Sequence, residues 1–147
     1  KKQLKKIIDK ILEYSSKYKI VFCIHPRTKE KIKNLSKDFF NEKKIIFIDS
    51  LPYSSFTNLL INSKFIITDS GGVLEESYFH EKICYIIRND IERTELINNI
   101  NIIKIENIEK AKFKLAKKKQ RKKQIIKLWD HKVSSRIFKI IKNKLIN

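Results

Sequence analysis

The chain has two glycines, which stand side by side in the segment Thr68-Asp69-Ser70-Gly71-Gly72-Val73. This segment follows an apolar run and precedes residues with helical spacing, so it predicts a turn between a strand and a helix. A helix begins with unpaired N–H groups and a partial positive charge, and glycine lets a ligand approach the backbone closely. The turn therefore favours phosphate binding, with the Ser70 hydroxyl as a further donor. The alternative is an ordinary turn in which Asp69 or Ser70 caps the helix.

Two acidic residues, Glu75 and Glu76, fall near the beginning of the helix predicted after the glycines. Acids at this end complement the helix dipole, which is the simple explanation for both. The alternative is that one carboxylate accepts both hydroxyl groups of a ribose, as acids do in dinucleotide sites. Because adjacent residues point about 100° apart on a helix, we expect only one of the two to face a ligand.

Two arginines follow the next apolar run, in residues 88–95. Arginine supplies five of the 34 basic residues, and its planar guanidinium recognises phosphate or carboxylate through paired hydrogen bonds. In the alternative interpretation, Arg88 pairs with Glu92 or Asp90 and holds the loop. We expect one of the two arginines, Arg88 and Arg93, in each role.

Apolar patterning divides the chain into alternating helices and strands. Helices are predicted over residues 4–18, 28–36, 53–62 and 72–80, and strands over residues 19–24, 45–48, 64–68, 83–87 and 100–105. Apolar strands that alternate with helices are typical of a parallel sheet covered on both faces. The sequence thus predicts an α/β fold, a Rossmann-like three-layer sandwich with a parallel sheet of about five strands. Ligands bind at the carboxyl ends of the strands in such sheets, which is where the glycines and the arginines fall.

The C-terminal part of the chain is rich in lysine. Helices are predicted over residues 106–117 and 120–143, and we expect the longer one to pack back across the domain through an apolar stripe. The simplest interpretation of the lysines in residues 117–123 is a solvated surface, with a polyanion site as the alternative. The stripe comprises Ile125, Ile126, Trp129, Val133, Ile137, Ile140 and Ile141.

The formal net charge of +18 can indicate binding to nucleic acid or to an anionic membrane. Lys, Ile and Asn are enriched together along the whole sequence, as an AT-rich coding sequence would produce. Surfaces that bind nucleic acid usually add arginine and interleaved aromatic residues, so we expect no nucleic-acid partner. The sequence has no apolar run of transmembrane length, and we expect no membrane partner either.

Cys23 and Cys84 lie in apolar runs without the spacing of a metal site, and the three histidines are equally scattered. We interpret the cysteines as small buried residues of a reduced, cytoplasmic protein, and we expect neither a metal ion nor a cofactor. A length of 147 residues suits one domain. Because the sequence contains no Met, we interpret it as part of a longer protein whose missing portion lies on the N-terminal side.

Several of these segments together resemble the UDP-N-acetylglucosamine 2-epimerase family. The run from Thr68 to Glu76, then Arg88, then Glu92-Arg93-Thr94-Glu95 follow the family's signature with the same spacing. Further similarity lies in Ile24-His25-Pro26-Arg27-Thr28, in Leu51-Pro52-Tyr53-Ser54-Ser55-Phe56 and in residues 130–137. The resemblance spans about residues 20–140, and the joint pattern is more specific than any single part.

The resemblance implies a two-domain fold of the glycosyltransferase-B type. Residues 1–147 would be its C-terminal, UDP-binding domain, and the N-terminal domain would lie outside this chain. The substrate would be a UDP-sugar, and the full-length form a homodimer. The implied enzyme is an isomerase that eliminates UDP from UDP-GlcNAc and adds it back with inversion at C2, or a hydrolysing relative that releases N-acetylmannosamine. Either would serve the biosynthesis of cell-surface polysaccharides or sialic acid precursors.

For the site, the resemblance implies that this half of the enzyme holds UDP. It assigns the diphosphate to Ser70 and to the backbone of Gly71 and Gly72, with Arg93 assisting at the phosphate. It assigns the ribose to Glu76.

The resemblance also implies a uracil pocket lined by Phe56 and the backbone of Leu51. It places the principal acid–base groups outside residues 1–147, so no catalytic residue is assigned within the chain. His25 follows a strand at the functional edge of the sheet, and two roles stay open for it: contact with the site or organisation of its own loop.

The sequence departs from the family pattern at several positions. Thr94 stands where the family has proline, and Trp129 and His131 stand where glycines are usual. The glycine expected after the loop is missing, and we expect Asn98 or Asn99 to take its place because asparagine tolerates positive φ. We expect the fold to survive these changes.

Two other functions stay open from the sequence. The domain of a glycosyltransferase would use the same nucleotide pocket and add a site for an acceptor. A non-enzymatic polyanion-binding module would depend on the lysines of residues 117–123.

Overall fold

The computed structural model describes residues 2–88, 90–97, 99, 101–114, 129–130 and 132–146. The chain divides into two compact units, Lys1–Lys117 and Lys118–Asn147. Residues 115–128 lie outside the described part of the chain, and with them the lysine cluster 117–123, Ile125 and Ile126. The two functional alternatives for the lysine cluster therefore stay open.

The first unit alternates helices with short strands, as the sequence predicts. Residue bounds agree to within a few positions for all nine elements predicted before residue 106, while a 3₁₀ helix (Lys37–Asn41) and a short α5 were not predicted. The helices are α1 (Lys2–Ser15), α2 (Pro26–Lys33), α3 (Tyr53–Asn62), α4 (Gly71–Phe79) and α5 (Thr94–Ile97), and the strands are β1 (Ile20–Cys23), β2 (Ile45–Ile48), β3 (Ile66–Thr68), β4 (Cys84–Ile86) and β5 (Ile102–Lys104).

All pairings between these strands are parallel, which confirms the predicted α/β class. β1 pairs with β2 so that Ile20 lies opposite Ile45. β4 lies between β3 and β5, with Cys84 opposite Ile66 on one side and Ile102 on the other. The five strands form two sheets, of order β1-β2 and β3-β4-β5, rather than one.

Burial differs between the strands although their sequences are equally apolar. Every residue of β4 is buried, as expected of a strand with a neighbour on each side. β1 and β3 are only partly buried. The expectation that both cysteines are buried holds for Cys84 and is wrong for Cys23, which is exposed at the end of β1. Among the described residues, β1 pairs with a neighbouring strand on one edge only.

Helix α1 packs against both sheets through one apolar face. Ile8 is 2% exposed and belongs to a cluster with Ile24 and Ile45 of the first sheet's side. Six residues later, Tyr14 belongs to a second cluster with Tyr85 and Phe113. The helix therefore joins the two sheets of this unit.

The helix predicted over residues 106–117 is wrong for the residues that the structure describes, 106–114, which form turns and irregular backbone. The side chain of Asn107 accepts hydrogen bonds from two backbone N–H groups that follow it, and such bonds compete with a helix. The N–H of Phe113 donates to the Tyr14 hydroxyl at 2.8 Å, and the N–H of Lys114 donates to the Tyr85 hydroxyl at 2.8 Å. Distant tyrosines thus satisfy this backbone in a non-helical form.

The second unit contains α6 (Val133–Ile146), which overlaps the predicted helix 120–143 over its C-terminal part. Ile137, Ile140 and Ile141 of the apolar stripe are each more than half exposed. That this helix packs back across the domain stays a prediction. Within the described residues, no helix combines the length and apolar character that a membrane span requires.

Candidate functional site

The glycine turn joins the end of β3 to the beginning of α4. Ser70 is the N-cap residue of α4, with φ −90° and ψ 128°, and its hydroxyl oxygen accepts from the N–H of Val73 at 3.4 Å. The Thr68 hydroxyl oxygen accepts from the N–H of Ser70 at 3.0 Å. The capping alternative is therefore observed for Ser70. Because its oxygen is the acceptor, the hydroxyl hydrogen of this exposed residue stays available for a ligand.

Neither glycine is explained by the conformation or packing of the chain itself. Both have negative φ, so the backbone does not need the conformational freedom of glycine here. A Cβ added at Gly71 would meet none of the described atoms within 4 Å, and one at Gly72 would meet only the Ser70 hydroxyl oxygen, at 3.9 Å. At Gly71 the Cβ would extend into open space. Close approach of a ligand is the use of glycine that agrees with this geometry.

Glu75 and Glu76 point to different partners, as expected for adjacent residues of a helix. The Glu76 carboxylate accepts from the Tyr53 hydroxyl at 2.9 Å, and the Nε2 atom of His80 lies 3.6 Å from its other oxygen. The Glu75 carboxylate accepts from Nε of Arg93. The two acids therefore organise two separate sides of α4.

Tyr53 connects the beginning of α3 to this helix. Its side chain is 69% exposed, and its bond to Glu76 brings residues 51–56 beside α4. Leu51 and Phe56 are half-buried members of this segment, and the N–H of Phe56 donates to the Pro52 carbonyl in the first turn of α3. The residues that the resemblance assigns to uracil thus lie on the same side of α4 as Glu76.

The two arginines hold different partners. Nη2 of Arg88 donates to Glu92 at 2.8 Å, which is the loop-holding arrangement that the sequence left open. Arg93 bonds Glu75, and this hydrogen bond is the main cause that raises the pKa of its guanidinium, with the negative charges of Glu75, Glu92 and Glu95 adding to it. The bond to Glu75 uses Nε, one of several donors of the guanidinium. Arg93 is therefore a fixed cation beside the helix that begins with the glycines.

A cleft of about 780 Å³ opens at the carboxyl ends of β3 and β4. Of the residues that the sequence singled out, Asp69 and Arg88 line it, but those assigned to UDP do not. The sequence did not predict the helical walls of this cleft. The one feature that could have indicated them is that their residues fall at the ends of the predicted helices. These walls include Gln3 and Leu4 of α1 together with Lys31 and Asn34 of α2 and its C-cap.

His25 is the N-cap of α2, and its Nδ1 atom accepts from the N–H of Arg27 at 3.2 Å. The role in organising its own loop is therefore observed. The residue is exposed at the carboxyl end of β1, the edge at which ligands bind in such sheets. Contact between His25 and a substrate stays a prediction.

Comparison with known proteins identifies the family. The model of the UDP-N-acetylglucosamine 2-epimerase family matches residues 1–142. The chain belongs to this epimerase family. The UDP-N-acetylglucosamine 2-epimerase of Methanocaldococcus jannaschii is 39% identical to it over 115 residues, which are 75% of this chain and 31% of that protein. The epimerase of the same name from Methanococcus maripaludis is 37% identical over 105 residues, 68% of this chain and 29% of that protein.

A solved structure agrees with this assignment. The crystal structure of Methanocaldococcus jannaschii UDP-GlcNAc 2-epimerase in complex with UDP-GlcNAc and UDP matches with a TM-score of 0.69 and 28% identity. The match covers 95% of this chain and 40% of that one. The chain thus spans 31% and 29% of these two relatives, less than half of either epimerase.

In this epimerase-family chain, the residues assigned to UDP gather around the first two turns of α4. Ser70, Gly71, Gly72 and Glu76 belong to the turn and the helix themselves, and Arg93 is attached through its bond to Glu75. Their contact with UDP stays a prediction. In the described part of the chain, no group of three or more His, Cys, Asp or Glu residues could hold a metal ion.

Proposed function

We propose that this chain supplies the UDP-binding half of a UDP-GlcNAc 2-epimerase. The full enzyme eliminates UDP from UDP-GlcNAc and adds it back with inversion at C2, or releases N-acetylmannosamine and UDP by hydrolysis. One observation carries the proposal: α4 begins with two glycines that the fold does not require, since neither has a positive φ and an added Cβ would meet at most the Ser70 hydroxyl oxygen, at 3.9 Å. The complex of the Methanocaldococcus jannaschii relative with UDP-GlcNAc and UDP supports the choice of ligand.

The diphosphate binds in front of α4 in this proposal. The first N–H groups of the helix have no partner within it, and the helix dipole adds a partial positive charge at this end. Ser70 donates its hydroxyl hydrogen from the N-cap position. Negative charge increases on the diphosphate as UDP departs, so these donors lower the barrier to elimination as well as binding the ground state. Removal of one such donor costs on the order of 100-fold in rate.

The nucleoside lies along the side of α4 that faces α3. Glu76 accepts the two ribose hydroxyl groups, and Phe56 with the Leu51 backbone contacts uracil. The support is the Tyr53–Glu76 hydrogen bond, which holds residues 51–56 next to the proposed ribose acceptor. Arg93, positioned by Glu75, assists at the phosphate.

The remaining parts of the enzyme lie outside residues 1–147 in this proposal. An N-terminal domain supplies the acid–base groups that remove and return the C2 proton, and the complete protein is a cytoplasmic homodimer. The proposal gives the chain no metal ion and no cofactor, because proton transfer and loss of UDP need neither.

Calorimetric titration of the chain with UDP tests the proposal. We expect binding that Ser70→Ala weakens, because a donor to the diphosphate is lost. Ser16→Ala is the matched control, since Ser16 is an exposed serine whose hydroxyl donates to the Glu13 carbonyl, and the bond that its own carbonyl accepts from Lys44 does not need the side chain. No heat of binding at millimolar UDP, or equal affinity of the Ser70→Ala variant and the native chain, would overturn the site assignment.

A further inference from the structure

Among the described residues, the Glu76 carboxylate has a partner on each of its oxygens. Oε1 accepts a hydrogen bond from the Tyr53 hydroxyl at 2.9 Å, and Oε2 lies 3.6 Å from Nε2 of His80. A carboxylate offers about four lone-pair sites on its two oxygens. Each partner is directed to one oxygen, so a further acceptor site on each oxygen stays available. Two neighbouring hydroxyl groups, such as those of a ribose, need a pair of acceptor sites of this kind.

The imidazole of His80 is not required to end α4. His80 is the C-cap residue of this helix, and the cap is formed by its backbone N–H, which donates to the carbonyls of Glu76 and Tyr78. Any residue with a backbone N–H could form these bonds. Residues four positions apart are neighbours on a helix surface, and the imidazole uses this spacing to reach the Glu76 carboxylate. The side chain of His80 thus acts on Glu76 and not on the helix end.

The connection between α3 and α4 does not depend on the imidazole either. The hydrogen bond from Tyr53 to Glu76 joins the beginning of α3 to the middle of α4. At the other end of α3, Nζ of Lys82, which follows α4, donates to the Ile61 carbonyl at 2.8 Å. Both contacts remain when His80 is replaced. The effect that is left for the imidazole is the orientation of the Glu76 carboxylate.

Orientation of this carboxylate in advance would favour binding. The side chains of His80 and Glu76 are 32% and 29% exposed, so the contact is partly shielded from water. A glutamate side chain loses rotamer freedom when a ligand fixes it, and a carboxylate that is already held at both oxygens has less freedom to lose. Hydrogen bonds in ligand-free sites are often long and shorten in the complex, which agrees with the separation of 3.6 Å.

We propose that His80 is a positioning residue for ribose recognition: its Nε2–H group orients the second oxygen of Glu76 toward the hydroxyl groups of the nucleotide. The inference rests on the proposed function, because it requires that Glu76 accepts the ribose of UDP. It adds to that function the residue that completes the pair of acceptor oxygens and so favours a ribonucleotide over a deoxyribonucleotide. Nε2 donates in this arrangement whether or not Nδ1 also carries a hydrogen.

A histidine at the end of a helix has a simpler role, in which a protonated imidazole complements the partial negative charge of the helix C-terminus. That role needs a positive charge and no particular partner. Positioning of Glu76 needs a hydrogen-bond donor at the place of Nε2 and no charge. Glutamine separates the two roles, because its side-chain amide is neutral and carries an N–H donor that can take the place of Nε2.

Calorimetric titration of the native chain, His80→Leu and His80→Gln with UDP and with 2′,3′-dideoxy-UDP tests the inference. We expect His80→Leu to weaken UDP binding about threefold or more. The same variant should bind dideoxy-UDP as the native chain does, because this compound presents no ribose hydroxyl group to Glu76. We expect His80→Gln to bind UDP within about twofold of the native chain, since the donor is restored. Thermal unfolding without ligand reports any change in the fold separately.

Three results would overturn the inference and leave the proposed function in place. One is equal UDP affinity of His80→Leu and the native chain. The second is an equal loss of affinity for UDP and for dideoxy-UDP, because His80 would then act on something other than the ribose. The third is UDP binding by His80→Gln as weak as that of His80→Leu, which would assign the effect to charge. Absence of UDP binding by the native chain is a different result, since it would reject the proposed function together with this inference.

Discussion

The Tyr53 hydroxyl donates a hydrogen bond of 2.9 Å to the carboxylate of Glu76, and this contact connects the beginning of α3 to the middle of α4. On its other oxygen, the same carboxylate lies 3.6 Å from Nε2 of His80. Glu76 is thus held between two side chains before any ligand arrives. A carboxylate fixed in this way is suited to accept a pair of hydroxyl groups, because its orientation is set in advance.

Replacement of Tyr53 tests this positioning role. Tyr53→Phe removes the hydroxyl but keeps the ring, and one hydrogen bond of this kind contributes about 0.5–1.5 kcal/mol. We expect the affinity for UDP to fall about three- to tenfold, and that for 2′-deoxy-UDP to fall less, because the deoxy compound lacks one of the hydroxyls that Glu76 would accept. Calorimetry with both nucleotides measures the difference. An equal loss for both would show that Tyr53 acts on something other than ribose recognition.

Gly71→Ala tests whether this glycine is required for binding UDP rather than for folding. The added Cβ meets none of the described atoms within 4 Å, the backbone φ is negative, and alanine favours a helix over glycine by up to about 1 kcal/mol. We expect thermal unfolding at an unchanged or higher temperature together with at least about a tenfold loss of UDP affinity, since the methyl group occupies the place of the diphosphate. A variant that binds UDP as well as the native chain would remove the reason proposed here for the glycine.

The local part of this fold could be predicted from the sequence. Apolar runs and helical spacing correctly predicted four helices and five strands in residues 2–105. Each of these patterns depends only on residues within a single helix or strand. The glycine turn was located in the same way. Ser70 shows the limit of such a prediction, since its place in the sequence fits both capping and ligand binding, and its geometry permits both.

Contacts between distant residues could not be predicted. The bonds from Tyr53 to Glu76 and from Arg93 to Glu75 join residues 23 and 18 positions apart, and no periodicity within either segment identifies the partner. The same holds for residues 106–114, whose lysine-rich sequence favours a helix. Their backbone is instead held by the Tyr14 hydroxyl, 99 positions away from its partner. The division of the strands between two sheets could not be predicted either, because it depends on pairing between distant segments.

One backbone position among the described residues offers a gain in stability. Glu81, just after α4, has φ 54°, a left-handed conformation that costs a non-glycine residue about 1–2 kcal/mol. Glu81→Gly removes this cost and adds the larger unfolded-state entropy of glycine. We therefore expect a net increase of about 0.5–1 kcal/mol in the free energy of unfolding. Glu81→Ala is the control, because it removes the charge and keeps the strain. Chemical denaturation distinguishes them, and equal stability of the two variants would assign any effect to the charge.

The two cysteines should differ in reactivity, because one thiol is exposed and the other is buried. Burial raises the pKa of the Cys84 thiol to about 11, although a hydrogen bond with Ser77 opposes the shift. Only the thiolate reacts, so at pH 8 about one Cys84 thiol in a thousand is in the reactive form. We expect iodoacetamide to modify exposed Cys23 first in the native chain, as peptide mass spectrometry would show.

The pH dependence follows from the same shift. An unfolded thiol ionises near the ordinary value of 9.0, whereas the folded Cys84 thiol keeps its proton to about pH 11. The folded state therefore binds more protons between these values, and the contribution of Cys84 to stability, complete below pH 9, is lost as the pH rises toward 11. Modification of Cys84 should accelerate through this window, because more of the thiol is ionised and because the folded state is less stable. Rapid alkylation of Cys84 at pH 8, at the rate of Cys23, would contradict the buried position of β4.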